Sequence, residues 1–113
     1  MIKFTDSHEW IKVEGNRATV GITEKAAREL GEVVYVELPQ VGKEVRAGAP
    51  VVILESTKAA TDIYSPVSGE IVEVNQKLVD FIEPINQSPE QEGWLFKIHL
   101  SNPKELNLLH DKK

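Results

Sequence analysis

The stretch Val51-Val52-Ile53-Leu54-Glu55-Ser56-Thr57-Lys58-Ala59-Ala60-Thr61-Asp62-Ile63-Tyr64 decides the architecture. Val51–Glu55 and Thr61–Tyr64 are rich in the branched and aromatic residues that fit a pleated, half-buried surface. Between them Ser56 to Ala60 are small or polar, apart from one long amine. The pattern predicts a β-hairpin over 51–64 with Lys58 exposed at its tip. Ser56, Thr57, Ala59 and Ala60 clear space around that lysine, and Glu55 and Asp62 flank the tip symmetrically. A surface lysine is ordinarily only a solvated charge, and these three features set this one apart. A catalytic amine needs burial or a second cation to become a nucleophile or base. The tip offers neither. Covalent modification by a separate enzyme suits an exposed tip better than chemistry by the bare amine.

Outward from the hairpin, short strands dominate. Trp10–Val13 and Ala18–Ile22 are joined by Gly15-Asn16, which supplies the positive φ angles of a tight turn. Thr23 reads as the N-cap of a helix over Glu24–Leu30, closed by Gly31. Further strands are expected at Val33–Leu38, Glu44–Val45, Glu70–Val74 and Leu95–Leu100. A short helical turn is expected from Asn75 to about Phe81, then a loop over Pro84–Gly93. A C-terminal helix over about 103–110 follows, with Asn102 as cap, Pro103 at its first position and Glu105 reaching back. Leu106 and Leu109 offer it an apolar edge. Gly31-Glu32-Val33-Val34-Tyr35-Val36 is echoed by Gly69-Glu70-Ile71-Val72-Glu73-Val74, as a quasi-two-fold sandwich requires. The expected class is mostly β, a small sandwich or half-barrel with short flanking helices.

Composition narrows the function. A chain of 113 residues has room for one modest core, so residues 1–113 read as a single domain. The net charge of -5 is spread along the chain and argues against nucleic acid. Docking onto basic partner surfaces is open to it, although solubility explains the charge as well. No cysteine is present, which excludes disulfides and thiolate sites. His8, His99 and His110 lack ligand spacing, and His8 reads as a hydrogen-bonded structural residue. Trp10 and Trp94 read as core or core-edge packing. The opening residues carry neither a signal core nor a transit pattern, and no apolar run reaches membrane-spanning length. A cytoplasmic monomer is expected.

Glu55-Ser56-Thr57-Lys58-Ala59 resembles the lipoylation motif, and Leu30-Gly31-Glu32-Val33-Val34-Tyr35-Val36-Glu37-Leu38-Pro39 is similar to the glycine cleavage system H protein family. So are Ser7-His8-Glu9-Trp10, Val20-Gly21-Ile22-Thr23, Tyr64-Ser65-Pro66-Val67-Ser68-Gly69-Glu70, Val74-Asn75, Ile85-Asn86 and Glu92-Gly93-Trp94. The matches run in order from about residue 4 to residue 106. Together they are specific, whereas the lysine motif alone is weak. The resemblance implies a hybrid barrel-sandwich of the lipoyl/biotinyl-carrier type. It also implies lipoate held as N6-lipoyllysine at Lys58, with no active site of the chain's own. The implied partners are glycine decarboxylase (P-protein), aminomethyltransferase (T-protein), dihydrolipoyl dehydrogenase (L-protein) and a lipoyl ligase or transferase. Ser7, Glu9 and Asp62 match positions lining the cleft that shelters the loaded arm, where carboxylates suit a protonated amine. The plain alternatives are a surface charge for Glu9 and a turn residue for Ser7.

Three other readings stay open on sequence: a biotinyl carrier, a lipoyl domain of a 2-oxo-acid dehydrogenase, and a non-carrier interaction domain or H-like protein that only relays lipoyl groups to other enzymes. Thr57 and Ala59 stand where a biotinyl carrier has methionines, and the free-standing length disfavours the dehydrogenase domain. The chain departs from the family at Ala26-Ala27, Ser88-Pro89-Glu90-Gln91 and Val79–Pro84, all away from the lysine hairpin.

Overall fold

The computed structural model describes residues 1–112. Two antiparallel sheets face each other. The larger has the order β1-β2-β3-β9-β8-β5, from Ile2–Phe4, Glu9–Glu14, Arg17–Ile22, Phe96–Leu100, Gly69–Val74 and Glu44–Val45. The smaller has the order β4-β6-β7, from Val33–Glu37, Pro50–Ser56 and Ala60–Tyr64. Alternation sends Ile11, Val20, Ile22, Ile71, Phe96 and Ile98 inward from the first sheet. Val33, Val36, Val52, Leu54 and Ile63 meet them from the second. The two echoed segments form β4 and β8, one in each sheet.

The lysine hairpin is β6–β7, with Leu54 opposite Thr61 and Glu55 opposite Ala60. Residues 52, 54 and 63 are buried, so Glu55 and Asp62 stand on the outward face. They do not flank the tip symmetrically. Asp62 pairs with Ile53, a full pleat farther from the tip than Glu55.

The first turn works through one glycine rather than two residues. Gly15 has φ +63° and Asn16 is not in the left-handed region, while Glu14 pairs with Arg17. A two-residue turn with glycine alone at positive φ suits the right-handed twist of its strands. Beyond it, Trp10 pairs with Gly21, and a Cβ on Gly21 would lie 2.7 Å from the indole carbons. The glycine is there so that the ring can lie flat on the neighbouring strand.

Helix α1, Glu24–Leu30, begins at Thr23, whose side chain accepts from the Ala26 N–H. It ends at Gly31 with φ +82°. Helix α2 spans Lys77–Asp80, within the expected turn. The expected loop over Pro84–Gly93 instead starts with a helix, α3, over Glu83–Gln87. Proline is tolerated there because first-turn N–H groups have no intrahelical partner. Fully buried Ile85 and the Asn86 side chain hold α3 in place: Asn86 accepts from Val33 N–H at 2.8 Å and donates to Val33 O at 3.0 Å. The amide thus pairs with the outer edge of β4 as another strand would.

The C-terminal helix is a 3-10 helix over Pro103–Leu108, shorter than the expected 103–110. Asn102 makes no side-chain cap. Glu105 does not reach back along its own helix; it accepts from Ser68 N–H and Ser68 Oγ, each at 2.7 Å. Residue 110 leaves the helix to bridge Phe4, so the chain's end pairs with β1, a strand over residues that the sequence reading left unassigned.

Candidate functional site

The lysine tip is organised by Ser56. Its Oγ accepts from Lys58 N–H at 3.1 Å and Ala59 N–H at 3.2 Å, and donates to Ala59 O at 3.2 Å. A serine here lets its hydroxyl pair with the backbone two and three residues on, which stabilises a local turn. Lys58 is exposed, as expected. The tip nevertheless does not project freely. Thr57 N–H donates to Glu32 O at 3.0 Å, which fastens the turn to the junction between α1 and β4.

Ser7, Glu9 and Asp62 lie far apart in sequence, and the fold brings them together. They line one cleft of about 290 Å³ with His8, Ala26, Glu29, Leu30, Thr61, Ile63 and Tyr64. One wall is the β1–β2 connection. There His8 N–H donates to Thr5 O, Thr5 N–H donates to Glu9 O, and His8 takes φ +67°. This is a three-residue hairpin loop with a left-handed last residue, a position usually given to glycine. A histidine there costs on the order of 1–2 kcal/mol. His8 O in turn accepts from Thr23 N–H, so the loop is tied to the start of α1. The role of His8 is therefore carried by its backbone; among the described residues its ring makes no hydrogen bond.

Glu9 is 2% exposed, and its carboxylate is held by Ser7 together with Thr5 and Tyr64, two residues to which the sequence assigned no part in the cleft. Oε1 accepts from Thr5 Oγ1 at 2.5 Å and Ser7 Oγ at 2.7 Å, while Oε2 accepts from Tyr64 N–H at 3.3 Å. These bonds offset the cost of burying a charge without a cation. Glu9 is thus both a cleft wall and the anchor that joins β2 to β7. Ser7 is exposed with its hydroxyl turned to that anchor, and the exposed Asp62 carboxylate has no hydrogen bond or ion pair among the described residues. Glu29, exposed on α1, adds a third acid to the lining. Helical spacing alone does not reveal Glu29, because only the packing of α1 beside β7 shows which side of that short helix meets the cleft.

The cleft combines Ala26, Leu30 and Ile63 with three carboxylates. Such a lining fits a short hydrocarbon chain ending in a cation. Lys58 does not line it; the tip stands beside it, over the helix end whose Leu30 does. A groove of about 600 Å³ lies between α1 and α3, and a cleft of about 780 Å³ covers Trp10 and Trp94 on the outer face of the large sheet. The latter contains none of the four predicted residues. No cluster of His, Asp and Glu suited to a metal ion occurs among the described residues. No helix there is long and apolar enough to cross a membrane.

Comparison with known proteins gives a consistent answer. The family model described as glycine cleavage H-protein matches residues 2–113. A glycine cleavage system H protein of Thermotoga maritima is 54% identical over 113 residues, covering 100% of this chain and 91% of that protein. One from Methylacidiphilum infernorum is 54% identical over 108 residues, covering 96% and 84%. The crystal structure of a glycine cleavage system H protein from Mycobacterium marinum superposes with a TM-score of 0.83 at 40% identity, over 88% of this chain and 84% of that one.

Proposed function

We propose, because this chain belongs to the glycine cleavage H-protein family, that Lys58 carries its lipoyl group as N6-lipoyllysine and that Ser7, Glu9 and Asp62 shelter the loaded arm. The protein is a lipoyl-carrying shuttle of the glycine cleavage system and has no catalysis of its own. The observation that carries the site reading is the placement of an exposed lysine, on a fastened tip, beside a cleft lined by three carboxylates. When bound, the lipoyl disulfide supplies the acceptor for the aminomethyl group of glycine.

What the chain's own residues do is hold and shield. The fastened tip keeps the tether's origin fixed, so a partner meets the arm at high local concentration. Asp62, which has no hydrogen bond or ion pair among the described residues, would accept hydrogen bonds from an ammonium group. Glu9, with its oxygens already engaged, adds negative charge behind Ser7. Leu30 and Ile63 keep water from the arm's hydrocarbon.

Glycine decarboxylase, the tetrahydrofolate-dependent aminomethyltransferase, dihydrolipoyl dehydrogenase and a lipoyl ligase or transferase are the partners in this proposal. A single carrier domain over 1–113, working as a monomer in the cytoplasm, belongs to the same reading. The family match favours the shuttle over a biotinyl carrier or a lipoyl relay. Reconstitution with the decarboxylase tests it. The lipoylated protein is expected to support glycine-dependent exchange of carbon dioxide; a lipoylated protein that supports none is not this shuttle.

A further inference from the structure

The Lys58 side chain crosses Gly31. A Cβ built on that glycine would lie 3.2 Å from Lys58 Cε, 3.6 Å from Cδ and 3.8 Å from Cγ. Three consecutive methylenes therefore run through the space that any L side chain at position 31 would fill. The neighbouring carbonyl, Glu32 O, is the one that fastens Thr57. Gly31 itself borders the groove between α1 and α3, and Leu30 before it borders the cleft of Ser7, Glu9 and Asp62. The stem of the lysine thus lies over the ridge between the two depressions.

We propose that Gly31 is a positioning residue for the carrier arm: its missing side chain lets the Lys58 stem lie flat on the end of α1, which directs whatever Lys58 carries toward the acidic cleft. The proposal rests on the reading of Lys58 as the attachment site. Position 31 has a second reason to be glycine, its φ of +82°. The two reasons are separable. Backbone strain lowers stability wherever it occurs, whereas the Lys58 stem is flexible and exposed and gives way to a methyl group at little cost. Loss of the contact therefore changes where the arm goes more than how firmly the chain folds.

Gly48 provides a control for a methyl group at positive φ away from the lysine. Its φ is +85°, and nothing lies within 4 Å of a Cβ built there. Gly31→Ala and Gly48→Ala both place a side chain at positive φ, and only the first touches the lysine. Each lipoylated carrier is loaded with the decarboxylase and isotope-labelled glycine, separated from the enzyme, and followed for spontaneous loss of the aminomethyl group. Intact mass first establishes lipoylation in each. Gly31→Ala is expected to lose the group about tenfold faster than wild type, the fold-change that corresponds to losing about one charge-assisted hydrogen bond to the sheltered amine. Gly48→Ala is expected to match wild type. Equal rates for the two variants overturn the proposal. Should Gly31→Ala fail to fold, the wild-type lipoylated carrier still decides: nuclear Overhauser contacts between Gly31 Hα and the Lys58 δ and ε protons support it, and their absence overturns it. A wild-type carrier with no lipoyl mass at Lys58 instead overturns the attachment reading, before Gly31 is at issue.

Discussion

Glu9 on β2 accepts a hydrogen bond from the Tyr64 N–H of β7 at 3.3 Å, across a separation of 55 residues in sequence. That contact joins the two sheets at the mouth of the cleft. On one side stands the loop with Ser7, on the other the strand with Asp62. A buried carboxylate is therefore a tie between the sheets as well as part of the cleft wall.

Glu9→Ala leaves the hydroxyls of Thr5 and Ser7 and the Tyr64 N–H without their acceptor. The loss is expected to be about 2–3 kcal/mol, the range for a buried charged acceptor. Glu9→Gln, which keeps one acceptor oxygen, is expected to lose less. Thermal denaturation of the two variants measures the difference, and equal melting temperatures for Glu9→Ala and wild type would contradict the anchor.

Asn86→Ala removes both bonds to Val33 and is expected to cost about 1–3 kcal/mol. The change has a local signature as well. Hydrogen exchange at the Val33 amide, now paired only by the Asn86 side chain on that edge, should rise well before exchange in β8 or β9. Uniform acceleration across both sheets would show that the clamp is not local.

Gly21→Ala places a methyl group 2.7 Å from the Trp10 indole, a ring that is buried and donates its Nε1–H to Pro89 O at 3.0 Å. Overpacking of this kind costs about 1–3 kcal/mol. Trp10 fluorescence should report displacement of the ring, and an unchanged spectrum with unchanged stability would contradict the packing described.

Glu105→Gln weakens the pair of bonds to Ser68 that hold the C-terminal 3-10 helix against the start of β8. The expected cost is about 1–2 kcal/mol, read as a lower denaturant midpoint with an unchanged slope. A wild-type midpoint would mean that buried Leu106 and the backbone pairing of His110 with Phe4 hold the segment without Glu105.

How far the sequence reached depended on the range of the interaction. Local signals were reliable: Thr23 caps α1, Gly31 ends it, and small residues at 56–60 do mark the tip of a hairpin. The helix at Glu83–Gln87 was hidden because its support is Asn86 pairing with Val33, 53 residues away, rather than any periodicity of its own. Glu105 looked like part of a capping box, yet Ser68 offers it two donors and wins. Ser7, Glu9 and Asp62 came from family resemblance, and residue pattern alone gives no reason to group them. Thr5, Glu29 and the Tyr64 N–H were missed because their contacts exist only once α1, β2 and β7 are brought together, and Gly31 was read only as the end of α1 because its proximity to the Lys58 stem is equally non-local.

The most direct test of the central claim is intact mass after incubation of the protein with a lipoyl ligase and lipoate. Wild type is expected to gain the mass of one lipoyl group and Lys58→Arg none. The variant should otherwise fold normally, since an exposed substitution that keeps its charge changes stability by about 0.5 kcal/mol or less. A one-lipoyl gain that survives in folded Lys58→Arg would place the arm elsewhere and contradict the account.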